Sequence, residues 1–333
     1  MIARPTMKDV AQRAGVSTMT VSRVVNGEPG VMPETAAKVH RAIRVLGYQR
    51  DDVARQLRRK GQLSQTIGIL VDNVADPFMA GLASAAEDVA RQHGSVVLIG
   101  SSRDDLHRER EVVSAFTSRR IDGLILIPVA GSHRFLRNAM TTGTRVVCAD
   151  RPAAGLRTDA VVVDNRGSAR RAIQHLIAHG HRRIAYLGDR LDISTIEDRY
   201  AGYLAALAEA GIPADPAVVR HGLRVGTDAA EAVTGMLAHP DPPTAVLASN
   251  GIVGLGVRAA LPPGTALVGF DDFQLAPQLD PPVTVIAQDP VTMGSTAAHL
   301  LFARIHGDSS PTRTVVLPTE LVQRGSGEIP GPY

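Results

Sequence analysis

A run of hydrogen-bonding side chains lies on one side of the segment TMTVSRVVN, residues 18–26. If this segment is helical, Val21, Val24 and Val25 share an apolar face and the polar side chains point away from it. An arginine on such a face can donate two N–H groups to the O6 and N7 atoms of guanine, so Arg23 is the foremost candidate for reading a base. The predicted DNA contacts of this face are Thr18, Met19, Thr20, Ser22, Arg23 and Asn26.

The elements that would position this face are two short helices separated by a glycine. Thr6 and Asp9 have the spacing that caps a helix start, Gly15 ends the first helix, and Ser17 is the N-cap of the second. This spacing is typical of a helix-turn-helix, whose second helix enters the major groove. Two amphipathic helices around a glycine also form purely structural hairpins, so this pattern alone leaves both possibilities open.

Charge is distributed unevenly along the chain. Residues 1–62 hold 12 Lys and Arg against 5 Asp and Glu, which leaves 24 basic and 28 acidic residues in the rest. The basic segment includes a third predicted helix, from Pro33 to the stop at Gly47, and a short helical pattern in residues 51–60 with few apolar residues. A concentrated positive charge favours a polyanionic partner such as a phosphate backbone.

Apolar, strand-like runs alternate with helical patterns through the remaining sequence. The runs are TIGILV (66–71), SVVLIG (95–100), GLILI (123–127), RVVCA (145–149), VVVD (161–164), RIAYLG (183–188), AVLAS (245–249) and ALVGF (266–270). This alternation predicts doubly wound parallel sheets, and the length suffices for two domains with separate cores. Because such sheets bind small molecules beyond the carboxyl ends of their strands, the polar residues there are binding candidates, although an Asp at that position also serves as a helix N-cap.

Taken together, these motifs resemble the lactose-repressor (LacI/GalR) family of bacterial transcription regulators. The matching motifs include DVAQRAGVS, TVSRVVN, VARQL, RRIDGLIL (119–126), ADRP (149–152), VGFDD (268–272) and LPTELVQRGS (317–326). The resemblance implies an all-α helix-turn-helix headpiece and an α/β core of two doubly wound parallel-sheet subdomains, similar to periplasmic sugar-binding proteins. The implied bounds are 1–50 for the headpiece, 51–62 for a hinge helix and 63–333 for the core, with subdomains 63–160 plus 290–318 and 161–289 plus 319–333.

The resemblance also implies a function, a homodimeric repressor whose affinity for a near-palindromic double-stranded DNA operator is controlled by a small-molecule effector. In the hinge, Leu57 would enter the minor groove at the centre of the operator with Ala54 packed close by, and Arg55 is a candidate phosphate contact. The implied effector contacts in the cleft are Phe78, Asp150, Thr195, Arg199, Asn250, Asp271 and Gln288.

The chemistry of these cleft residues suits a small hydroxylated effector, a sugar or a sugar acid. Carboxylates accept hydrogen bonds from hydroxyls, amides donate and accept, and a guanidinium matches a diol or a carboxylate. Gly251 stands where family members usually carry Asp, and Leu223 where many carry an aromatic residue that stacks on the sugar. A purine or a small organic acid therefore remains open.

The sequence contains little that supports catalysis or metal binding, so we expect no enzyme activity, cofactor or metal. The glycines of SNGIVGLGVRAAL (249–261) do not have the G-x-G-x-x-G spacing of a dinucleotide site, and no G-x-S-x-G elbow occurs. His175, His179 and His181 lack an H-E-x-x-H arrangement, and we expect them at the surface or at a helix end.

Location and assembly can also be anticipated. The N-terminus has no apolar signal segment and no run approaches the length of a membrane span, which predicts a cytoplasmic protein without a membrane partner. Cys148 lies in a predicted strand and should be a small core residue. The tail GSGEIPGPY is too rich in Gly and Pro for a tetramerisation helix, so a homodimer is expected.

Overall fold

The computed structural model describes residues 5–48 and 63–332. Contacts divide the chain into two units, Met1–Leu63 and Ser64–Tyr333. We call residues 5–48 the headpiece and residues 64–332 the core, and we describe each by itself. The predicted hinge, with Ala54, Arg55 and Leu57, lies outside the described residues.

The headpiece consists of three helices around a small apolar core. They are α1 (Met7–Ala14), α2 (Thr18–Val25) and α3 (Pro33–Leu46). Thr6 and Asp9 form the predicted capping box, since the Thr6 hydroxyl accepts from the Asp9 amide and the Asp9 carboxylate accepts from the Thr6 amide. Each helix contributes a fully buried valine, and these are Val10, Val21 and Val39.

The first subdomain of the core is built on a six-stranded sheet. Its strands in chain order are β1 (Thr66–Val71), β2 (Val96–Ser101), β3 (Gly123–Leu126), β4 (Arg145–Asp150), β5 (Asp159–Val163) and β11 (Thr314–Leu317). They lie in the order β11-β5-β4-β3-β1-β2, and all are parallel. Helices α4 (Pro77–Gln92) and α11 (Pro290–Ile305) cover one face, while α5 (Leu106–Ser118) and α6 (Leu136–Thr141) cover the other.

The second subdomain repeats this plan. Its strands are β6 (Ile184–Leu187), β7 (Val219–Arg220), β8 (Ala245–Ala248), β9 (Ala266–Phe270), β10 (Thr284–Ala287) and β12 (Glu320–Val322), in the order β12-β10-β9-β8-β6-β7. Helices α7 (Asn165–Ala178) and α8 (Ser194–Glu209) pack on one face, and α9 (Gly226–Leu237) and α10 (Gly251–Ala260) on the other. The sheet departs from a purely parallel one at its edge, where β12 runs antiparallel to β10.

The chain passes between the two sheets three times, and one predicted crossing is misplaced. The run at 161–164 was assigned to the second subdomain, but β5 pairs with β4 and β11 in the first sheet, so the crossing follows Val163. A strand with both faces buried has the same apolar sequence in either sheet, which is why the local pattern could not assign it. The crossings predicted near 289 and 319 match the sheet membership of the flanking elements.

Four strands were not predicted, namely β7, β10, β11 and β12. β7 and β12 have two and three residues, too few for an apolar run to stand out from its surroundings, whereas β10 and β11 are as long as the predicted β3, β6 and β8. Within the described part of the chain, none of the helices combines the length and the apolar character that crossing a membrane requires.

Candidate nucleic-acid interface and ligand cleft

The outward face of α2 presents most of the predicted DNA contacts to solvent. Thr18, Met19, Arg23 and Asn26 are exposed, Met19 to 73%. Val21 on the opposite face of α2 is buried in the headpiece. The helix therefore packs through one face and presents the other to solvent, as a helix that enters a groove must. Ser17 caps the helix because its hydroxyl accepts from the Thr20 amide at 3.1 Å.

Thr20 and Ser22 are less available than the sequence suggested. Both are half-buried. The Thr20 hydroxyl lies 2.9 Å from the Ser17 hydroxyl, so the N-cap already engages it. Ser22 Oγ accepts a hydrogen bond from Asn26 Nδ2 at 3.3 Å. Helical periodicity placed Thr20 and Ser22 on the outward face of α2, but these local hydrogen bonds compete with any contact to a base.

The end of α2 determines where the Arg23 side chain lies. The Gly27 amide donates to the Val24 carbonyl and the Glu28 amide to the Arg23 carbonyl, which is the Schellman arrangement, with Gly27 in the left-handed region at φ 66°. This turn brings residue 28 beside residue 23. Arg23 Nη2 donates to the Pro29 carbonyl at 2.9 Å, and Arg23 Nε lies 3.8 Å from Glu28 Oε2.

In the core, the carboxyl ends of both sheets open on one cavity of about 420 Å³. All seven residues predicted to contact an effector line it, namely Phe78, Asp150, Thr195, Arg199, Asn250, Asp271 and Gln288. They come from segments that follow β1, β4, β6, β8, β9 and β10, so six of them follow strands that the sequence predicted, while Gln288 follows the unpredicted β10.

Arg199 organises the wall formed by the second subdomain. Its side chain is only 4% exposed, Nε donates to Asn165 Oδ1 at 2.8 Å, and Nη1 donates to the Ser249 carbonyl at 2.6 Å. The same Nη1 lies 3.8 Å from Asp271 Oδ2, and the guanidinium stacks 3.6 Å from the centre of the Phe270 ring. Such a guanidinium is fixed before any ligand arrives.

Asp150 and Asp271 occupy equivalent places at the ends of β4 and β9. Both have positive φ angles, 66° and 71°, which turn the chain sharply out of the strand. Asp271 Oδ1 accepts from Gln288 Nε2 at 2.5 Å, and Asp150 Oδ2 accepts from Arg151 Nε at 3.1 Å. Burial raises the pKa of Asp271, although Arg199 and Gln288 oppose the shift. Neither carboxylate is a helix N-cap, whereas Asn250 does cap α10 through the Val253 amide at 2.9 Å.

Acidic groups outnumber basic ones around the cavity, with five aspartates against four arginines in its lining. Burial raises the pKa of Asp72 and of Asp76, and the Asp271 and Asp150 carboxylates raise that of Asp76 further. Several buried polar atoms of the lining have no hydrogen-bond partner among the described residues, namely Asp72 Oδ1, Arg151 Nη1 and Gln288 Oε1. A bound molecule with several donors and acceptors would satisfy them.

The seven predicted residues were only part of the lining. The lining also contains charged residues that the sequence analysis did not select, namely Asp72, Asp76, Arg103, Arg151, Asp189 and Arg224. Inspecting the residues after the SVVLIG run would have identified Arg103, but no local signal marks Arg224, which precedes α9. Leu223, expected at a sugar-stacking position, is 8% exposed and packs in the second subdomain's core, so Phe78 is the aromatic side chain at the cavity.

The remaining motifs have structural roles. Gly256 lies against the backbone of Gly226, so its lack of a side chain lets α9 and α10 approach closely. Cys148 is fully buried, as predicted, and burial raises the pKa of its thiol to about 11. No cluster of three or more potential metal ligands occurs in residues 5–48 and 63–332.

The expectation of surface or helix-end histidines is wrong for His181, which is fully buried between Thr244 and the Ile329 carbonyl. His175 lies in the last turn of α7 and contacts Glu328 at 2.5 Å with its side chain only 8% exposed. Both histidines attach the C-terminal segment to the second subdomain, a contact distant in sequence that helical spacing cannot reveal.

Known proteins match the whole chain. Residues 6–51 match the bacterial regulatory proteins of the lacI family, and residues 173–327 match the periplasmic binding protein-like domain. The chain is 33% identical to the HTH-type transcriptional regulator GalR of Escherichia coli (strain K12), over 98% of this chain and 96% of that protein. It is 31% identical to the HTH-type transcriptional repressor CytR of the same strain, over 96% of each.

Two solved structures extend the comparison to the fold. The Lac repressor dimer bound to operator and the anti-inducer ONPF has a TM-score of 0.83 at 27% identity, over 98% of this chain and 99% of that chain. The transcriptional regulator CelR–cellobiose complex has a TM-score of 0.71 at 30% identity, over 97% and 100%. The chain belongs to the lacI family of bacterial regulatory proteins and is a transcriptional regulator of that family.

Proposed function

We propose that this regulator is a repressor that binds a near-palindromic duplex as a homodimer and that a small hydroxylated molecule in the core cleft controls its affinity for DNA. The observation that carries the proposal is the cavity, where prepositioned polar groups from both subdomains surround a volume suited to a sugar-sized ligand. Coupling between two such sites typically amounts to about 1 to 3 kcal/mol. Because its partner is chromosomal DNA, we assign the protein to the cytoplasm.

Arg23 is the base-reading residue of the proposal, with Thr18, Met19 and Asn26 as its exposed neighbours. Arg23 Nε faces Glu28 and Nη2 faces the Pro29 carbonyl, while Nη1 has no hydrogen-bond partner among the described residues. The outer edge of the guanidinium is therefore free to pair with guanine O6 and N7. Thr20 and Ser22 would contribute through the shape of the face more than through their hydroxyls.

The hinge contacts belong to the proposal through the family resemblance. Leu57, with Ala54 beside it, would act as an apolar wedge in the minor groove, and Arg55 would neutralise a phosphate. A short segment with so few apolar residues is marginal as an isolated helix, so its folding can depend on DNA and on the state of the core.

The cleft favours an uncharged hydroxylated effector over a sugar acid. Two unpaired buried atoms of the lining, Asp72 Oδ1 and Gln288 Oε1, can accept from a hydroxyl but not from a carboxylate, and Arg151 Nη1 can donate to a hydroxyl. The similarity to a regulator solved with cellobiose supports a sugar. Purines and small organic acids are the comparison compounds of the test.

The proposed homodimer would cover apolar side chains that the core exposes. Val96 and Ile99 lie on β2, an edge strand of the first sheet, and are 65% and 50% exposed. Isolated exposed apolar residues are ordinary, but a pair on a sheet edge is a ready surface for self-association.

The test is selection of duplexes from a random pool by the full-length protein, alone and with cellobiose, galactose, gluconate, adenosine or citrate. We expect an enriched site with two-fold symmetry and a change in retention with a neutral sugar. The matched variant is Asp271→Asn, which keeps the side-chain volume at a left-handed position that Asn tolerates. It should select the same site without responding to the sugar, whereas absence of any enriched symmetric site would contradict the proposal.

A further inference from the structure

Asp104 is a buried carboxylate in an unusual backbone position at the mouth of the cleft. It follows β2 in the first subdomain, and its side chain is only 2% exposed. Arg103 and Asp104 both adopt left-handed φ angles, 51° and 57°. Two successive non-glycine residues in this region are uncommon, and such strain persists only where surrounding contacts enforce it.

The partners of Asp104 come from the other subdomain. Its Oδ2 atom lies 3.4 Å from Arg190 Nη1 and 3.4 Å from Arg224 Nη2. Arg190 follows β6, and Arg224 immediately precedes α9, so both arginines belong to the second subdomain. A single carboxylate thus connects the two walls of the cleft.

The Asp104 amide donates to Ser102 Oγ at 3.4 Å, but hydrogen bonds do not account for the placement of its carboxylate. Neither carboxylate oxygen has a hydrogen-bond partner among the described residues. Burial raises the pKa of Asp104, and the nearby Asp72 carboxylate raises it further. A buried carboxylate without hydrogen bonds is costly unless opposite charges compensate. The compensation here comes from Arg151 in the first subdomain and from Arg190 and Arg224 across the cleft, and only the last two lie within ion-pair distance.

The two arginines differ in their other contacts. Arg190 also holds Asp192 through two hydrogen bonds of 2.9 and 2.7 Å, within its own loop. Arg224 lines the cavity, and Asp104 is its ion-pair partner within the described part of the chain. The position of the Arg224 guanidinium at the cavity wall therefore depends on a residue of the opposite subdomain.

We propose that Asp104 is a positioning residue that latches the first subdomain to Arg190 and Arg224 of the second, which keeps the cleft closed and holds Arg224 at its wall. The latch lies outside the seven residues assigned to effector contact. Closure is a property of the core alone, and only its consequence for DNA depends on the proposed function.

Hydrogen exchange of the full-length protein tests the latch without any ligand. Asp104→Asn removes the charge and suits the left-handed backbone. We expect amides in residues 189–193 and 222–226, on the facing wall, to exchange at least about threefold faster, because the cleft opens more often. Strands β1 and β9, at the centres of the two subdomains, should keep their protection.

Asp105→Asn is the matched control. It removes the same charge one residue away and preserves the cap of α5, where Asp105 Oδ1 accepts from the Arg108 amide at 2.7 Å. This control should leave the facing wall unchanged. The double variant R190Q/R224Q changes only the second subdomain and also removes the Arg190–Asp192 hydrogen bonds, so it is read on the opposite wall, where residues 72–76 and 102–106 should exchange faster.

A merely local role would confine faster exchange to residues 102–106, and that result would overturn the latch. If Asp104→Asn fails to fold, R190Q/R224Q decides the question, since unchanged exchange at residues 72–76 and 102–106 in that variant would also overturn it. Measuring operator affinity distinguishes the Asp104 latch from the proposed coupling of the cleft to DNA. Faster exchange on the facing wall with unaltered operator affinity supports the latch and counts only against the proposed coupling to DNA.

Discussion

The headpiece and the core each contain an arginine that we propose for recognition, and the two have opposite surroundings. Arg23 is 45% exposed and has a carboxylate 3.8 Å away, whereas Arg199 is 4% exposed and donates two hydrogen bonds of 2.8 and 2.6 Å to its own subdomain. The exposed arginine donates one hydrogen bond, to the Pro29 carbonyl, and its Nη1 group remains available to an outside partner. The buried arginine supports the fold, so any ligand that contacts it also acts on the structure around it.

The largest expected effect is the loss of stability that follows replacement of Arg199 in the cleft. Arg199→Ala should lower the free energy of unfolding by about 3 to 5 kcal/mol, because Asn165, Ser249 and Asp271 lose their buried partner. Urea denaturation of the full-length protein measures this. Arg170→Ala is the control, since the Arg170–Glu209 pair is 46% exposed on both sides and such pairs contribute at most about 1 kcal/mol. Equal losses in the two variants would refute the contrast between buried and exposed arginines.

The next effect is on specificity, in the headpiece. Arg23→Ala should weaken operator binding by about 1 to 3 kcal/mol and relax the preference at one position of each half-site, while Arg55→Ala should weaken all duplexes alike. Affinities for the selected site and its single-base variants at fixed salt provide the measurement. A uniform loss for Arg23→Ala would remove its base-reading role. The unfolding midpoint should change little, in contrast to Arg199→Ala.

A smaller effect concerns the capping box that starts the headpiece. Thr6→Ala removes the hydroxyl that accepts from the Asp9 amide and should destabilise α1 by about 1 kcal/mol. Hydrogen exchange in residues 7–14 would report the loss. Thr18→Ala makes the same chemical change at an exposed position and should leave exchange in α1 unaltered. Identical exchange profiles for the two variants would contradict the role of the cap.

The smallest expected effect comes from the ion pair beside Arg23. Glu28→Gln should change base discrimination at the Arg23 position by less than about 1 kcal/mol, because exposed ion pairs are weak. Glu34→Gln changes the headpiece charge by the same amount without facing Arg23. It therefore distinguishes an effect of Glu28 on the orientation of Arg23 from an effect of the headpiece charge. Discrimination that falls equally in both variants would show that Glu28 acts only through its charge.

Features set by local rules were predictable, and contacts between distant segments were not. The capping box at Thr6, the stop at Gly15 and the eight apolar runs each follow from short stretches of sequence, and six of the seven selected cleft residues follow strands that the sequence predicted. Which sheet the strand at 159–163 joins depends on its neighbours in space. The burial of His181 and the approach of Asp104 to Arg224 have the same origin, since they arise between segments separated by many residues.

Coupling between the cleft and the DNA-binding face can be measured as the change in operator affinity between the free and the ligand-bound protein. The measurement uses the full-length protein, the selected duplex and a neutral sugar whose binding has been established by calorimetry. The account predicts a change of at least about fivefold in operator affinity, which corresponds to about 1 kcal/mol of coupling, and no change for Asp271→Asn. A sugar that saturates the wild-type cleft while operator affinity stays constant would contradict the account.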